Sequence, residues 1–356
     1  SFEWLKCFPT LSDRKKRMKN SPVIFIKELS EQDRPFMLNH FLGLSPSDRR
    51  LRFGAALPDE AVSRYLPDLK VVCDEPMSRH TTFRIGGPAK RMAYPSSREQ
   101  LVLLLNFAEK SGADPLVIGI GSNLLAPDEG LNRLVIDTSA HLNRVEQTAE
   151  HIIRADAGAT LARTADLACK LGLTGLEFAH GIPGTVGGGV CMNAGAYGGE
   201  MKQVLRSASV LFPEAGVRTL TCEELELGYR HSLLTEHPEA VVLGAEFALT
   251  PGDPAQIRET MRELMARRKA SQPLEWPSAG STFKRPEGHF AGTLIDQCGL
   301  KGLTVGGAQV SEKHAGFLIN RGGATFADMT ELIRQVQQRV LDAAGVRLEP
   351  EVKIVR

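Results

Sequence analysis

Residues 180–201 read "HGIPGTVGGGVCMNAGAYGGEM", with eight glycines between Gly181 and Gly199 and with Ile182, Val186, Val190, Met192 and Tyr197 set among them. Glycine gives up more conformational freedom on folding than any other residue, so a packed chain keeps this many only where backbone must pass close to something. The interleaved apolar side chains exclude a flexible linker. About 60 residues earlier, "VIGIGSNLL" (117–125) places Gly119 and Gly121 at the exit of an apolar strand, followed by Ser122 and Asn123. Glycines there let successive backbone N–H groups turn toward an anion, and Ser and Asn offer side-chain bonds to it. The third glycine of a dinucleotide fingerprint is replaced by Leu124, and no Gly-Lys-Ser/Thr follows, so this is neither that fingerprint nor a P-loop. Two such loops suggest one extended nucleotide cofactor, with its phosphates at the first loop and its ring system at the second.

The rest of the composition narrows the class. With 356 residues the chain is long enough for two or three domains. Lys+Arg is 43 and Asp+Glu is 42, a balance that points to neither nucleic acid nor a membrane surface. No apolar run is long enough to span a bilayer, and the opening "SFEWLKCFPTLSDRKKRMKN" lacks the basic-then-apolar order of a secretory signal. The six cysteines (7, 73, 169, 191, 222 and 298) form no Cys-x-x-Cys pair, which reads as free thiols in a reducing cytoplasm. The nine histidines are scattered without zinc-ligand spacing, so no metal site is expected.

From Val71 onward short apolar strands alternate with helices. Strands are expected in 115–123, 133–138, 151–159 and 240–249, and helices in 97–112, 160–172 and 254–270, the last with Asp253 as N-cap and Pro254 at its first position. Residues 325–345 predict a helix from apolar positions 326, 329, 332, 333, 336, 340, 341 and 344, with Thr325 and Asp328 as a capping box and Gly345 as its stop. "VRLEPEVKIV" then alternates, with Val346, Leu348, Val352 and Ile354 on one face and Arg347, Glu349, Glu351 and Lys353 on the other. Strands and helices mixed with this much glycine indicate α+β or α/β layers.

Seven motifs occur in order: "MSRHTTFRIGGPA", "GIGSNLL", "GLEFAHGIPGTVGGGVCMNAGAYGGEM", "GYRHSLL", "PSAGSTFKRP", "GTLIDQCGLKGLTVGGAQVSEKHAGFLIN" and "RLEPEV". From about residue 67 to 356 the chain resembles the UDP-N-acetylenolpyruvoylglucosamine reductase (MurB) family, in its compact second type, which lacks an inserted substrate loop. The resemblance implies an α+β fold: an FAD-binding domain of the vanillyl-alcohol-oxidase (PCMH) type in two lobes over 67–268, completed by a strand at 349–356, and a substrate-binding α/β domain over 269–348. It implies non-covalent FAD, with the pyrophosphate on Gly119, Ile120, Gly121, Ser122 and Asn123. The isoalloxazine then lies against the second loop, at Gly184, Thr185, Gly187, Gly188, Asn193, Gly195 and Ala196. The implied reaction uses NADPH to reduce UDP-N-acetylenolpyruvoylglucosamine to UDP-N-acetylmuramate, a peptidoglycan precursor. By motif, Arg230 in "GYR", Ser281 in "AGS" and Glu351 in "EPEV" carry the catalysis.

Those residue types suit that chemistry. Hydride addition to the vinyl CH2 carbon leaves an enolate-like charge, which an arginine can hold with a planar fork of donors. The neighbouring carbon then needs one proton from a fixed side, and a hydroxyl such as Ser281 is acid enough toward an enolate. Glu351 is placed to orient this acid centre. A nucleophilic serine would want a nearby base and a Gly-x-Ser-x-Gly elbow, and "AGSTF" lacks the second glycine. Ordinary readings stand beside these: a turn serine, a surface arginine and one charge of a solvated strand face. Arg267, Arg268 and Lys269 either meet the substrate's diphosphate or are solvated cations at a helix C-terminus. Tyr229 and Lys284 are candidates for contact with substrate or nicotinamide.

Residues 1–66 form an appendage expected to take no part in catalysis. Within it 22–66 is similar to the opening of GNAT acetyltransferases, but no acetyl-CoA pyrophosphate loop follows. Two rival readings keep the glycine loops. One is a flavin oxidase of the same superfamily, which leaves Arg230, Ser281 and Glu351 without a shared role. The other is a non-catalytic FAD-binding protein.

Overall fold

The computed structural model describes residues 69–110, 113–213 and 215–355; the appendage of residues 1–66, with its resemblance over 22–66 and with Cys7, lies outside them. The first lobe is a sheet of β1 (Lys70–Pro76), β2 (Pro88–Tyr94), β3 (Leu116–Ile118) and β4 (Leu131–Asp137) in the order β1-β2-β4-β3. β1 and β2 are antiparallel, and the other two pairings are parallel. A parallel return needs a crossover, and helix α1 (Arg98–Lys110) supplies it. Leu101 to Leu105 and Ala108 are all buried, packed with Ala93 and Ile136 of this sheet and with Leu211 and Leu243 of the next. Five successive apolar residues, Leu101 to Leu105, cover every side of the helix there, and α1 is the layer between two sheets.

The second lobe is an antiparallel sheet. It contains β5 (Val145–Ala149), β6 (Ile152–Asp156), β7 (Leu205–Phe212), β8 (Gly216–Thr221) and β9 (Val241–Ala248), in the order β8-β7-β9-β6-β5. Helix α2 (Leu161–Lys170) starts where the Thr160 side chain accepts from the Arg163 N–H. The glycine run contains a short helix, α3 (Val186–Cys191). Helix α4 (Pro254–Ser271) begins as expected, the Asp253 side chain accepting from the Ala255 N–H.

The C-terminal unit packs α5 (Ala291–Gln297) and α6 (Phe326–Ala344) on an antiparallel sheet of β10 (Thr304–Val305), β11 (Ala308–Val310) and β12 (Leu318–Asn320). α6 buries Met329, Leu332, Ile333, Val336 and Val340, has the Thr325–Asp328 capping box, and ends at Gly345 with φ +66°. The α+β architecture is the one expected. The last segment differs from expectation. Ladder pairing is confined to Lys353–Ile354, parallel to Leu124–Leu125. A bend at Val352 breaks the alternation, so Leu348 and Val352 are buried but Ile354 is 37% exposed and Val355 turns inward.

Candidate active site

The chain brings Ser281 and Glu351 together through a local sheet. Ser278 bridges to Ile319 of β12, and Phe283 bridges to Pro350. The Thr282 N–H donates to the Gly316 carbonyl at 2.9 Å, and the Glu351 N–H donates to the Thr282 carbonyl at 2.8 Å. Ser281 therefore sits one residue from the rung that holds Glu351. Thr282 and Phe283 are buried while Ser281 is exposed. Its hydroxyl makes one long bond, 3.5 Å to the Phe283 carbonyl, and is only loosely held.

Arg230 reaches the same place from the other side. Its backbone is left-handed, φ +53°, an uncommon and costly state for a side chain of this size. The turn is pinned by Asn193 Nδ2, which donates to the Gly228 carbonyl at 2.9 Å, and by Ser232 Oγ, which donates to the Cys191 carbonyl at 2.8 Å. Arg230 Nε donates to Glu351 Oε1 at 2.6 Å, with both side chains largely shielded. Burial pushes the Glu351 carboxyl above its ordinary value, and the guanidinium pulls in the opposite direction. The carboxylate expected to orient the acid centre is thus bonded to the anion-binding arginine.

Arg230, Ser281 and Glu351 line one cavity of about 430 Å³, with Tyr229, Arg285, Phe290, Lys301, Lys313 and His314 on its walls. Neither Arg268 nor Lys284 is on that wall. Arg268 is buried in the last turn of α4, its side chain beside Gly181, and burial lowers its pKa. Lys284 pairs with Glu349. His314 escaped the sequence reading, and its signal was its place two residues before Gly316 in "KHAGF". Its Nδ1 accepts from the Gly316 N–H at 3.2 Å, and burial holds its pKa down, so the ring is kept neutral. A side chain on Gly316 would come within 3.2 Å of both Ser281 Oγ and the His314 ring, and glycine leaves that space open.

The two glycine loops meet. A Cβ on Gly119 would lie 2.3 Å from Thr185 Oγ1, and one on Gly184 would be 3.7 Å from Ser122 Oγ. Their glycines serve different ends. A Cβ on Gly187 would press on Ala157 at 3.1 Å, one on Gly195 on the Gly199 carbonyl at 2.7 Å, and one on Gly199 on the Phe178 ring at 2.5 Å. These three are spent on protein packing, and the Gly187 N–H donates to the Ala157 carbonyl. A Cβ on Gly184 or Gly188 would make only ordinary van der Waals contacts, none closer than 3.7 Å. Two residues expected at the cofactor also make bonds within the protein. Asn193 is buried, its amide bonded to Gly228, Glu200 and Lys202. Asn123 Nδ2 donates to the Glu351 carbonyl at 3.0 Å and so stitches the first loop to the catalytic segment.

FAD suits this cradle. Thr82 donates its N–H to the Gly121 carbonyl, and its hydroxyl is buried without a protein partner beside the loop. A cofactor oxygen would satisfy it.

Comparison with known proteins agrees. Residues 88–221 match the FAD binding domain family, and residues 272–355 match the family described as UDP-N-acetylenolpyruvoylglucosamine reductase, C-terminal domain. A UDP-N-acetylenolpyruvoylglucosamine reductase of Agathobacter rectalis is 50% identical over 307 residues, covering 83% of this chain and 97% of the relative. One from Caldanaerobacter subterraneus subsp. tengcongensis is 45% identical over 296 residues, with the same coverage of 83% and 97%. The crystal structure of the Thermus caldophilus reductase superposes with a TM-score of 0.69 at 36% identity, covering 81% of this chain and 99% of that one.

Proposed function

The chain belongs to the UDP-N-acetylenolpyruvoylglucosamine reductase family, and on that premise we propose that the cavity of Arg230, Ser281 and Glu351 is where it reduces its UDP-sugar substrate. The chain is an FAD-dependent oxidoreductase of peptidoglycan precursor synthesis. Its substrate is UDP-N-acetylenolpyruvoylglucosamine, NADPH is the reductant, and the cytoplasm keeps the free thiols of the described residues reduced. The observation that carries the site assignment is the convergence of an Arg–Glu pair at 2.6 Å and an exposed serine hydroxyl on one cavity wall, with Ser281 and Glu351 joined through the Thr282 backbone rung.

Ser122, Gly184, Gly188 and Thr82 would hold FAD, which when bound supplies the two-electron relay from NADPH to the vinyl CH2 carbon. The protein's own residues manage the charge and the proton. Glu351 engages Arg230 through Nε, which leaves the two terminal amino groups to grip the substrate carboxylate in a planar, two-point contact. As the CH2 becomes CH3, negative charge spreads from the adjacent carbon into that carboxylate, and Arg230 stabilises it where it develops. Ser281 Oγ–H then gives its proton to the carbon, and the long bond to Phe283 costs little to break. A solvent proton restores the serine hydroxyl. The neutral His314 ring leaves the local positive charge to Arg230 and the cavity lysines.

The Ser281→Ala variant tests this reading by following flavin absorbance in each half-reaction separately. Bleaching by NADPH should keep its speed, while reoxidation by the enolpyruvyl sugar should slow by roughly 10²-fold or more, the size of a general-acid contribution. Ser281→Cys should recover part of that rate. Equal slowing of both halves would make Ser281 a structural turn residue, and unchanged reoxidation would remove it from the mechanism.

A further inference from the structure

The peptide groups of Glu351 are clamped from two sides. The N–H donates to the Thr282 carbonyl at 2.8 Å, and the carbonyl accepts from Asn123 Nδ2 at 3.0 Å, a partner 228 residues away in the chain. The first bond comes from the segment that carries Ser281, the second from the first glycine loop. Asn123 also accepts the Lys353 N–H on its backbone carbonyl, at 2.9 Å. From there the two segments run as a parallel ladder, Lys353 against Leu124 and Ile354 against Leu125. Were the ladder one rung longer, the backbone N–H of Asn123 would donate to the Glu351 carbonyl. The ladder stops short of that rung, and the side-chain amide makes the bond in its place. The loop's own shape explains the exchange. Gly121 is left-handed at φ +60°, and the Leu124 N–H points back to the Gly121 carbonyl at 3.4 Å, so Asn123 stands in a turn and not in a strand. An amide on a short stem bonds its neighbour from a backbone that has left strand geometry.

The clamp bears on chemistry through the Glu351 side chain. Its Oε1 accepts from Arg230 Nε at 2.6 Å, a charge-assisted bond whose strength depends closely on distance and direction. The residue after Glu351 is a bend, and regular pairing begins only at Lys353. The Asn123 bond is therefore what ties this carbonyl to the flavin lobe. We propose that Asn123 is the positioning residue of the Arg230–Glu351 pair: its amide closes the missing rung, fixes the carboxylate, and so aims the guanidinium at the substrate carboxylate. The proposal rests on the reading of that pair as the anion-binding centre. It puts a determinant of sugar reduction inside the loop expected to carry the cofactor pyrophosphate, so the seat of the loop and the aim of the arginine are set by one side chain.

The test is a double-mutant cycle of Asn123→Ala and Glu351→Gln in the full chain, with Asn123→Asp beside it as a variant of the same shape whose carboxylate cannot donate. FAD affinity of the cofactor-free protein, read from quenching of flavin fluorescence, should stay near wild type in Asn123→Ala. In the loaded variant, flavin reoxidation by the enolpyruvyl sugar should slow by up to about 10²-fold, the scale of a 1 Å misplacement at a reacting centre. Asn123→Asp should be slowed as well. Once Glu351 is already Gln, removing the Asn123 amide should add little, because the amide acts through the carboxylate. Wild-type reoxidation in Asn123→Ala and Asn123→Asp would overturn the proposal. So would losses that simply multiply in the double variant, which would mean that the amide acts elsewhere. Lost FAD affinity in Asn123→Ala would overturn it too, by assigning the side chain to the cofactor. Wild-type reoxidation in Glu351→Gln alone is a different failure: it would remove the Arg230–Glu351 pair from the chemistry, and the proposal would fall with that reading.

Discussion

Gly121 has a left-handed backbone at φ +60°, and a Cβ there would lie 2.0 Å from the His80 carbonyl oxygen. The first loop therefore needs glycine because another segment of the protein passes across it, and the phosphate side is a separate matter. Gly121→Ala should displace the His80–Thr82 turn, unseat the loop and lower both the FAD content and the melting temperature of the FAD-free protein. A variant that lost flavin with an unchanged FAD-free melting temperature would place the clash in the cofactor site instead. Single residues were legible in the sequence to an uneven degree. The "GYR", "AGS" and "EPEV" motifs led directly to Arg230, Ser281 and Glu351, which share one cavity. The direction in which a glycine's missing side chain would point depends on neighbours distant in the chain. Nothing in 180–201 announces that Gly187 is packed on Ala157 while a Cβ on Gly188 would make only ordinary contact.

Elements show the same division between local and long-range causes. α4 and α6 follow from caps and periodicity, which are properties of a few consecutive residues. The parallel pairing of β2 with β4 and the pairing of β9 with β6 join segments far apart in the chain, and no local pattern sets them. The turn that holds the first loop is secured by one such partnership. His80 Nδ1 bonds Asp137 of β4 at 3.0 Å, and its Nε2 bonds Glu75 of β1 at 3.2 Å, with Tyr94 of β2 at 3.4 Å and Arg79 paired to Glu75 at 3.6 Å. The Asp137 bond raises the His80 pKa, burial opposes it, and the Glu75 bond adds to the rise. Burial works against ionised Asp137, but the bonds from His80 and Ser139 outweigh it and the carboxyl is held below its ordinary value. Burial pushes the Tyr94 hydroxyl up to about 12. The sign follows from linkage. The His80 contribution is full below the unfolded value near 6.5 and is lost as pH rises through the raised folded value. The Asp137 contribution is present above roughly pH 4 and is lost as pH falls through its depressed one. The melting temperature should therefore decline as pH climbs from about 6.5 through the raised folded value of His80. His80→Gln should flatten that slope, and an undiminished slope in the variant would assign it to another group.

At the scale of the whole molecule, cofactor loop and proton donor are parts of one connected backbone. Asn123 bonds the Glu351 carbonyl and accepts the Lys353 N–H, Asn320 Nδ2 donates to the Phe83 carbonyl at 3.0 Å, and the Phe326 N–H donates to Asp128 at 2.7 Å. The C-terminal core even includes Phe83, Ile85 and Leu125 from the first lobe. Every residue given a role at the cofactor, the substrate or the proton transfer lies between Thr82 and Glu351, and among the described residues the packed core begins at Leu69. The Agathobacter relative is 97% covered by 83% of this chain. A chain beginning at Asp68 keeps the whole of this framework. It should purify with FAD bound and turn over within a few-fold of the full chain in both half-reactions. Stopped-flow flavin absorbance on the two chains, matched for FAD content, is the measurement. A truncated chain that holds FAD and is bleached by NADPH but fails to be reoxidised by the enolpyruvyl sugar would mean that residues before 68 complete the substrate site, and that the catalytic set is larger than Arg230, Ser281 and Glu351.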